Sequence, residues 1–431
     1  MTEDVLVPGV AETPARQESP RRSVAILVDD LATWLVAGLQ PTGIQRVVSE
    51  LLDTAYARPD IRGWPAVTIG GLDADEMPGL VEVSPDSLRW ETHQGGARAK
   101  LRLLKVARRM IVRLRIPRRT RRAAKSVYAR LALRYGGIRA LNVAARASPE
   151  ALLVPGGFWS GDSAGRIRRL AGRGVPVRLI VYDLFPVRNP EWCVPELCRE
   201  FEEALDALAP ICDRIVTLSQ EVANQVAERY PASAGRITFA LPTLEAHAPR
   251  WEASAGGSPV ALGGPFVLAL STVEPRKNHR VILDAWRLVR QDARTGDARL
   301  VIAGRRGWKT DDIEAEIATS AQRLGIVRLG NATDQMVEAL YRDCLATIHA
   351  SWAEGFGLPV RESVARGIPT LMSSTIPRDG LPHGTYRTFD PTDAQGLADL
   401  MVDAIAAGHV RTPVVLGQGT GWEPVLSALV D

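Results

Sequence analysis

The stretch Ser351-Trp-Ala-Glu354-Gly-Phe-Gly-Leu-Pro-Val-Arg-Glu362 constrains the fold of this chain more than any other. An apolar, strand-like run, Ala346 to Ala350, precedes it, and a helix-compatible run, Val360 to Arg366, follows. Pro359 suits the first turn of a helix. Glu354 therefore falls on a strand-to-helix loop, and Glu362 falls one to two turns into the helix. The intervening glycines let backbone approach a ligand closely. The helix start offers unpaired N–H groups and a positive dipole end to an anion.

A chain of 431 residues with 46% hydrophobic content is long enough for about two domains with substantial cores. It has no run of 18 apolar residues, so no membrane-spanning helix is expected. Residues 1–22 mix acidic, basic and proline residues without an apolar stretch and read as a disordered tail rather than a signal peptide. Cys193, Cys198, Cys212 and Cys344 lack paired zinc-ligand spacing and are expected to be free thiols. The histidines are scattered and no Asp-x-Asp triplet stands where a nucleotide-bound cation is held, so neither a metal nor another cofactor is expected.

Charge is unevenly placed. From Thr92 to Pro149 there are 17 Arg or Lys and no Asp or Glu. Arg98, Arg102, Lys105, Arg109 and Arg113 share one helical face, and Leu103, Leu104, Met110, Ile111 and Leu114 supply apolar neighbours. Such a segment, residues 98–139, favours an anionic membrane surface. A solvated basic face is the alternative. Tyr128 and Tyr135 are its only aromatics, which argues against a nucleic-acid partner.

Along the chain, apolar runs alternate with helical patterns. Ser23 to Val28, residues 63–70 and 80–84, Leu152 to Val154, Val177 to Asp183 and Ile215 to Ser219 read as strands. Thr42-Gly43-Ile-Gln-Arg46 follows the first of them after a loop and opens a helix running to Tyr56. Residues 98–146 read as an insertion or a helix pair. Residues 244–262 are rich in Ala, Gly, Pro and Ser and read as a linker. The pattern then restarts: strand Phe266 to Leu270, loop Val273-Glu-Pro-Arg276-Lys277-Asn278, helix His279 to Arg290, strand Arg299 to Gly304, helix Asp311 to Leu324, strand Val327 to Leu329, helix Thr333 to Asp343 and a late strand Ile368 to Met372. This alternation predicts two α/β domains, 23–243 and 263–405, each a parallel sheet with helices on both faces. A ligand cleft is expected between them, beyond the carboxyl ends of the strands.

Together, Glu274-Pro-Arg-Lys-Asn-His, Leu300-Val-Ile-Ala-Gly, Leu340-Tyr341, the two-glutamate loop and Gly367-Ile-Pro369 resemble the group 1 retaining glycosyltransferases, strongly over residues 263–375. The amino-terminal half resembles a bacterial polysaccharide and O-antigen mannosyltransferase-like subgroup through Thr42-Gly-Ile-Gln-Arg-Val-Val, Tyr182-Asp-Leu-Phe-Pro and Val216-Thr-Leu-Ser-Gln. The resemblance implies the GT-B architecture: two Rossmann-like domains facing each other across a deep cleft, with residues 406–431 crossing back to the first. It implies that Lys277, assisted by Arg276, binds the donor diphosphate. Glu354 would contact the donor sugar, backbone of Gly355, Phe356, Gly357 and Leu358 would touch sugar and phosphate, Glu362 would hold the ribose, and Gly43 would close over the phosphates. Ser351 would shape the loop.

The chain departs from the family in two places. Many members carry Arg six residues before the lysine, where this chain has Ser271, so diphosphate binding is expected to lean on Arg276 or on a basic residue from elsewhere. Many also carry His at the strand end that here reads Tyr182-Asp183. Asp183 is assigned to orienting the acceptor, with capping of the next turn as the alternative. The loop Pro155-Gly-Gly-Phe-Trp-Ser-Gly161 would line the acceptor side, or else pack Phe158 and Trp159 in the core. The resulting expectation is a metal-independent retaining transferase, with Glu354, Lys277 and Asp183 as catalytic residues. It would move a hexose of mannose, rhamnose or fucose type from a nucleotide sugar to a glycan or lipid-linked glycan, in the cytoplasm at the inner membrane face. A degenerate nucleotide-sugar or glycan-binding scaffold and a nucleotide-sugar epimerase of the same fold are the alternatives.

Overall fold

Ala151–Val154, sequence ALLV, is buried at every position, as are the four residues of Ala346–His349. Uninterrupted apolar strands of this kind belong to sheets covered on both faces. The computed structural model describes residues 21–36, 43–69, 79–88, 140–142, 149–247, 262–412, 414 and 421–431. The first sheet contains β1 (Arg22–Leu27), β2 (Ile61–Ile69), β3 (Gly79–Val83), β4 (Ala140–Asn142), β5 (Ala151–Val154), β6 (Val177–Val181), β7 (Arg214–Thr217) and β8 (Ile237–Phe239). Its order is β4-β3-β2-β1-β5-β6-β7-β8. The second contains β9 (Phe266–Leu270), β10 (Arg299–Ala303), β11 (Ile326–Leu329), β12 (Ala346–His349), β13 (Thr370–Ser373) and β14 (Tyr386–Phe389), in the order β11-β10-β9-β12-β13-β14.

Alternate residues of each strand enter separate cores. Val24 and Ile26 of β1 face one cluster, while Ala25 and Leu27 face another. Val267 and Ala269 of β9 likewise oppose Phe266 and Leu268. Helix starts carry the expected caps. Ser219 accepts from the Val222 amide, and Thr333 from that of Met336. Gly325, at φ 65°, ends helix Asp311–Leu324.

Several expectations change. The first sheet is not wholly parallel, because β2–β3 and β3–β4 run antiparallel at its edge. Helix Asp29–Val36 occupies what reads as loop before Gly43. Arg22, assigned to the tail, opens β1. Leu244–His247, assigned to the linker, forms a 3₁₀ turn. Leu262, the last linker residue, is buried in the second domain, while residues 248–261 and the basic segment 98–139, with its membrane reading, lie outside the described residues. Ala140–Asn142, placed in that insertion, forms a strand. Among the described residues no helix is long and apolar enough to cross a membrane.

Helix Glu423–Val430 returns to the first sheet. Trp422, Val425, Leu426 and Leu429 join the core that holds Val24, Val47 and Leu51. Its last turn leaves carbonyls without helical partners. Arg22 donates to Val430 O, Arg178 to Leu429 O and Val430 O, and Arg214 to Ala428 O. Three cations thus sit at the negative end of the helix dipole.

Each sheet reverses its winding at one point, between β1 and β5 and between β9 and β12. Beside those points, the loops that follow β6 and β12 meet across a cleft. A Cβ on Gly355 would lie 1.9 Å from the Tyr182 carbonyl oxygen.

Candidate functional site

On the second-domain wall, β9 ends in a short 3₁₀ turn, Pro275–Lys277, and then Asn278 at φ 51°. Asn tolerates this left-handed conformation better than most residues, and its side chain is fixed by donation to Pro391 O at 2.8 Å. The kink turns Arg276 and Lys277 toward the loop after β12. The loops are tied through backbone, with Trp352 N donating to Arg276 O at 2.8 Å.

Glu354 is the hub of this wall. Arg276 donates to Glu354 Oε2 at 2.7 Å, while Lys277 Nζ and Ser351 Oγ both reach Oε1 at 2.5 Å. Burial alone would raise the Glu354 pKa, but Arg276, Lys277 and the hydrogen bonds hold it well below the usual carboxylate range. Burial and neighbouring Arg276 pull Lys277 down, and the ionised Glu354 opposes them. Arg276 also pairs with Glu274 at 2.9 Å and stacks 4.8 Å from the Phe185 ring centroid, in the first domain. Beneath this cluster lies a small hollow lined by Ser271, Lys277, His349, Ser351, Glu354 and Gly357 among others. Gly357, at φ 76°, leads into helix Leu358–Ala365; Pro359 has no N–H and the Val360 and Arg361 amides donate to Gly357 O, which leaves the Leu358 amide of the first turn to face a ligand. Phe356 turns away from the cleft into the first domain's core near Trp422, so it can offer a ligand only its backbone.

Glu362, one turn into that helix, is almost enclosed. Tyr341 OH donates to Oε2 at 2.9 Å, and Arg46 of the first domain reaches Oε1 at 2.9 Å. Glu362 raises the Arg46 guanidinium above its ordinary pKa.

On the first-domain wall, Tyr182 and Asp183 follow β6. Tyr182 OH donates to Pro155 O at 2.5 Å. Asp183 Oδ1 accepts from Phe185 N at 3.3 Å, so it caps the following turn while it faces the Arg276–Glu354 cluster. Burial raises its pKa, and Arg276 opposes that rise. Gly43 precedes helix Ile44–Ala57 at φ 48°. Phe158 and Trp159 pack on Phe201, edge-to-face with each other at 4.8 Å, which is the core role rather than an acceptor wall. Asp30, which receives Gln45 Nε2 at 2.6 Å, also stands at the end of β1.

The structure thus brings Lys277, Arg276, Glu354, Ser351 and Asp183 into one cluster, and Glu362 into a second with Tyr341. Arg46 and Asp30 carry no role in the sequence reading. Their signal was position: Arg46 in the first turn after a glycine, and Asp30 just past a buried strand.

Residues 264–407 match the family model of the group 1 glycosyl transferases. The O-antigen chain mannosyltransferase B of Escherichia coli is 29% identical over 217 residues, covering 50% of this chain and 49% of that protein. The serotype-specific mannosyltransferase WbdA of Escherichia coli is 28% identical over 222 residues, covering 48% of this chain and 27% of that one. The chain therefore spans about half or less of the length of these relatives. Sucrose-phosphate synthase from Thermosynechococcus elongatus superposes with a TM-score of 0.55 at 16% identity, covering 95% of each chain. That likeness establishes the two-domain GT-B fold.

Proposed function

From the group 1 glycosyl transferase domain at residues 264–407, we propose that this chain transfers a hexose from a nucleotide sugar to a glycan or lipid-linked glycan in bacterial surface polysaccharide synthesis. The observation that carries the reading is the convergence of Lys277, Arg276 and Glu354 beyond β9 and β12, opposite Asp183 across the cleft. The mannosyltransferase relatives favour mannose as the sugar.

In this reading the acceptor hydroxyl attacks the anomeric carbon as the bond from that carbon to the diphosphate oxygen breaks. The departing diphosphate takes the hydroxyl proton, and attack from the same face retains configuration. Lys277 and the Leu358 amide, at the positive end of helix Leu358–Ala365, stabilise the leaving charge without a metal. A second carboxylate acting as nucleophile would be the alternative route to retention. Glu354 is poorly suited to it, because Arg276 holds one oxygen while Lys277 and Ser351 hold the other. Glu354 instead orients Lys277 and presents an acceptor to the sugar hydroxyls. Asp183 orients the acceptor. Closure of the two domains supplies positioning.

The test is thermal stabilisation by UDP, GDP, dTDP and ADP, followed by transfer assays with the sugar donors of whichever nucleotide binds. A ligand at about 100 times its dissociation constant adds about 2.7 kcal/mol of stability. One nucleotide should stabilise the wild type, and Lys277→Ala should abolish turnover while the fold survives. Near-normal turnover in that variant would sink the assignment. Stabilisation without transfer of any hexose would leave a nucleotide-sugar-binding scaffold.

A further inference from the structure

The donor site is electrically balanced before any donor enters. Arg276 and Lys277 are matched by Glu274 and Glu354, each within ion-pair distance. A diphosphate brings about two further negative charges into a partly buried site, which need partners there. Ser271 stands where an additional cation would be useful, and its hydroxyl faces His279 Nε2 at 3.4 Å. Burial keeps that imidazole neutral, with its pKa near 3.

Arg46 is placed to meet this need. It lies in the first turn of helix Ile44–Ala57, three positions beyond Gly43, and crosses the cleft to Glu362. Its side chain is 44% exposed, whereas that of Glu362 is 8% exposed, so the cation can leave and the carboxylate cannot. Glu362 already uses Oε2 to accept from Tyr341. A ribose diol that reaches the nearly enclosed Glu362 from the cleft therefore competes with Arg46 for the more lightly occupied side of the carboxylate, Oε1. The first turn of helix Ile44–Ala57 points its dipole's positive end the same way.

Building on the nucleotide-sugar reading, we infer that Arg46 changes partner with the ligand. In the empty cleft it pairs with Glu362. When a nucleotide sugar binds, the ribose hydroxyls replace it on Glu362 and its guanidinium turns to the diphosphate. The same residue thereby favours nucleoside diphosphates over nucleosides. A nucleoside displaces Arg46 and offers it nothing in return, while a diphosphate supplies the new partner.

Calorimetric titration of the full chain with UDP, GDP, dTDP and ADP, and with uridine, guanosine, thymidine and adenosine, tests the exchange. In Arg46→Ala, the diphosphate that binds the wild type should bind at least about tenfold more weakly, the effect of one charge-assisted contact. The matching nucleoside should bind as well as to wild type or better, because its competitor is gone. Arg46→Gln, which keeps the chain length, should reproduce both changes, and Arg46→Lys should restore part of the diphosphate affinity. Unchanged or tighter diphosphate binding in Arg46→Ala would reduce the pair to a latch between domains and overturn the exchange. Equal weakening of diphosphate and nucleoside would overturn it too, by making Arg46 a support of the ribose site. Failure of every nucleotide to bind the wild type would remove the donor reading itself and this inference with it.

Discussion

Gly355→Ala isolates the requirement for domain closure. An ideal Cβ at this position would lie 1.9 Å from the Tyr182 carbonyl oxygen, 2.8 Å from its carbon and 3.0 Å from Asp183 Cβ. The obstacle is mainly backbone on the opposite domain, so no rotamer change relieves it. The two walls would have to retreat by about 1 Å, a displacement that costs about 10²-fold in rate when it separates reacting groups. That is about 2.7 kcal/mol in the barrier. The same retreat would stretch the Arg46–Glu362 pair from 2.9 Å and the Trp308 bond to Trp192 O. Apart from Phe356, which the first domain's core holds, the cores of the two sheets are separate, so the melting temperature should move by only a few degrees. Gly304→Ala supplies the contrast. Gly304 has φ 142°, and its Cβ would stand 2.0 Å from Ser271 O within the same sheet, so the fold should lose about 2 kcal/mol or more. The assays are kcat/KM for transfer and thermal unfolding of both variants. Wild-type kcat/KM in Gly355→Ala would refute the reasoning, and so would a thermal loss matching that of Gly304→Ala.

Three further outcomes follow from the same geometry. Glu354→Gln leaves Arg276 and Lys277 without their shared anion, so the variant should lose about 3 kcal/mol of stability. It should also bind inorganic pyrophosphate more tightly than wild type while transfer is lost, and weaker pyrophosphate binding would show that Glu354 does not hold these cations in balance. His247, His279 and His349 are held near pKa 3, mainly by burial, against 6.5 when exposed. Between those values the unfolded chain binds more protons, so stability present above pH 6.5 falls by about 1.4 kcal/mol per histidine per pH unit on acidification. Urea unfolding at pH 7, 6 and 5 should show a slope that His279→Gln makes shallower, and an unaltered slope would count against the burial argument. Trp422→Ala should cost about 3–5 kcal/mol by emptying the contact among Trp422, Phe356 and His247. A loss below about 1 kcal/mol in urea unfolding would mean that the returning helix adds little.

Much of the fold was legible because helix and strand periods alternate cleanly. Phe266–Leu270 and Asp311–Leu324 fall on the residues that periodicity and capping select. Helix Asp29–Val36 was missed although Asp29 and Asp30 mark an acidic first turn, because the strand before it and the glycine after it suggested a plain loop. The antiparallel edge was hidden because strand direction leaves no mark on residue order. In the site, the motif residues could be named, but their pairings could not. Neither the sharing of one carboxylate by Arg276 and Lys277 nor the contact of Arg46 with a distant glutamate has a local signature. Gly355 against Tyr182 is a backbone contact, and only its glycine hints at it.

The arginine clamp on helix Glu423–Val430 has a consequence for how the chain is made. Residues 22–239, which form the first sheet, leave the ribosome long before the helix that covers part of their core. At about 5–20 residues per second, the wait between His247 and Glu423 lasts roughly 10 to 35 s. Throughout it, the apolar seat under Trp422 and Leu426 is open, and Arg22, Arg178 and Arg214 face water without their carbonyls. The nascent first domain therefore passes through a prolonged sticky stage set by the pace of translation, when a chaperone has most to gain by occupying that seat.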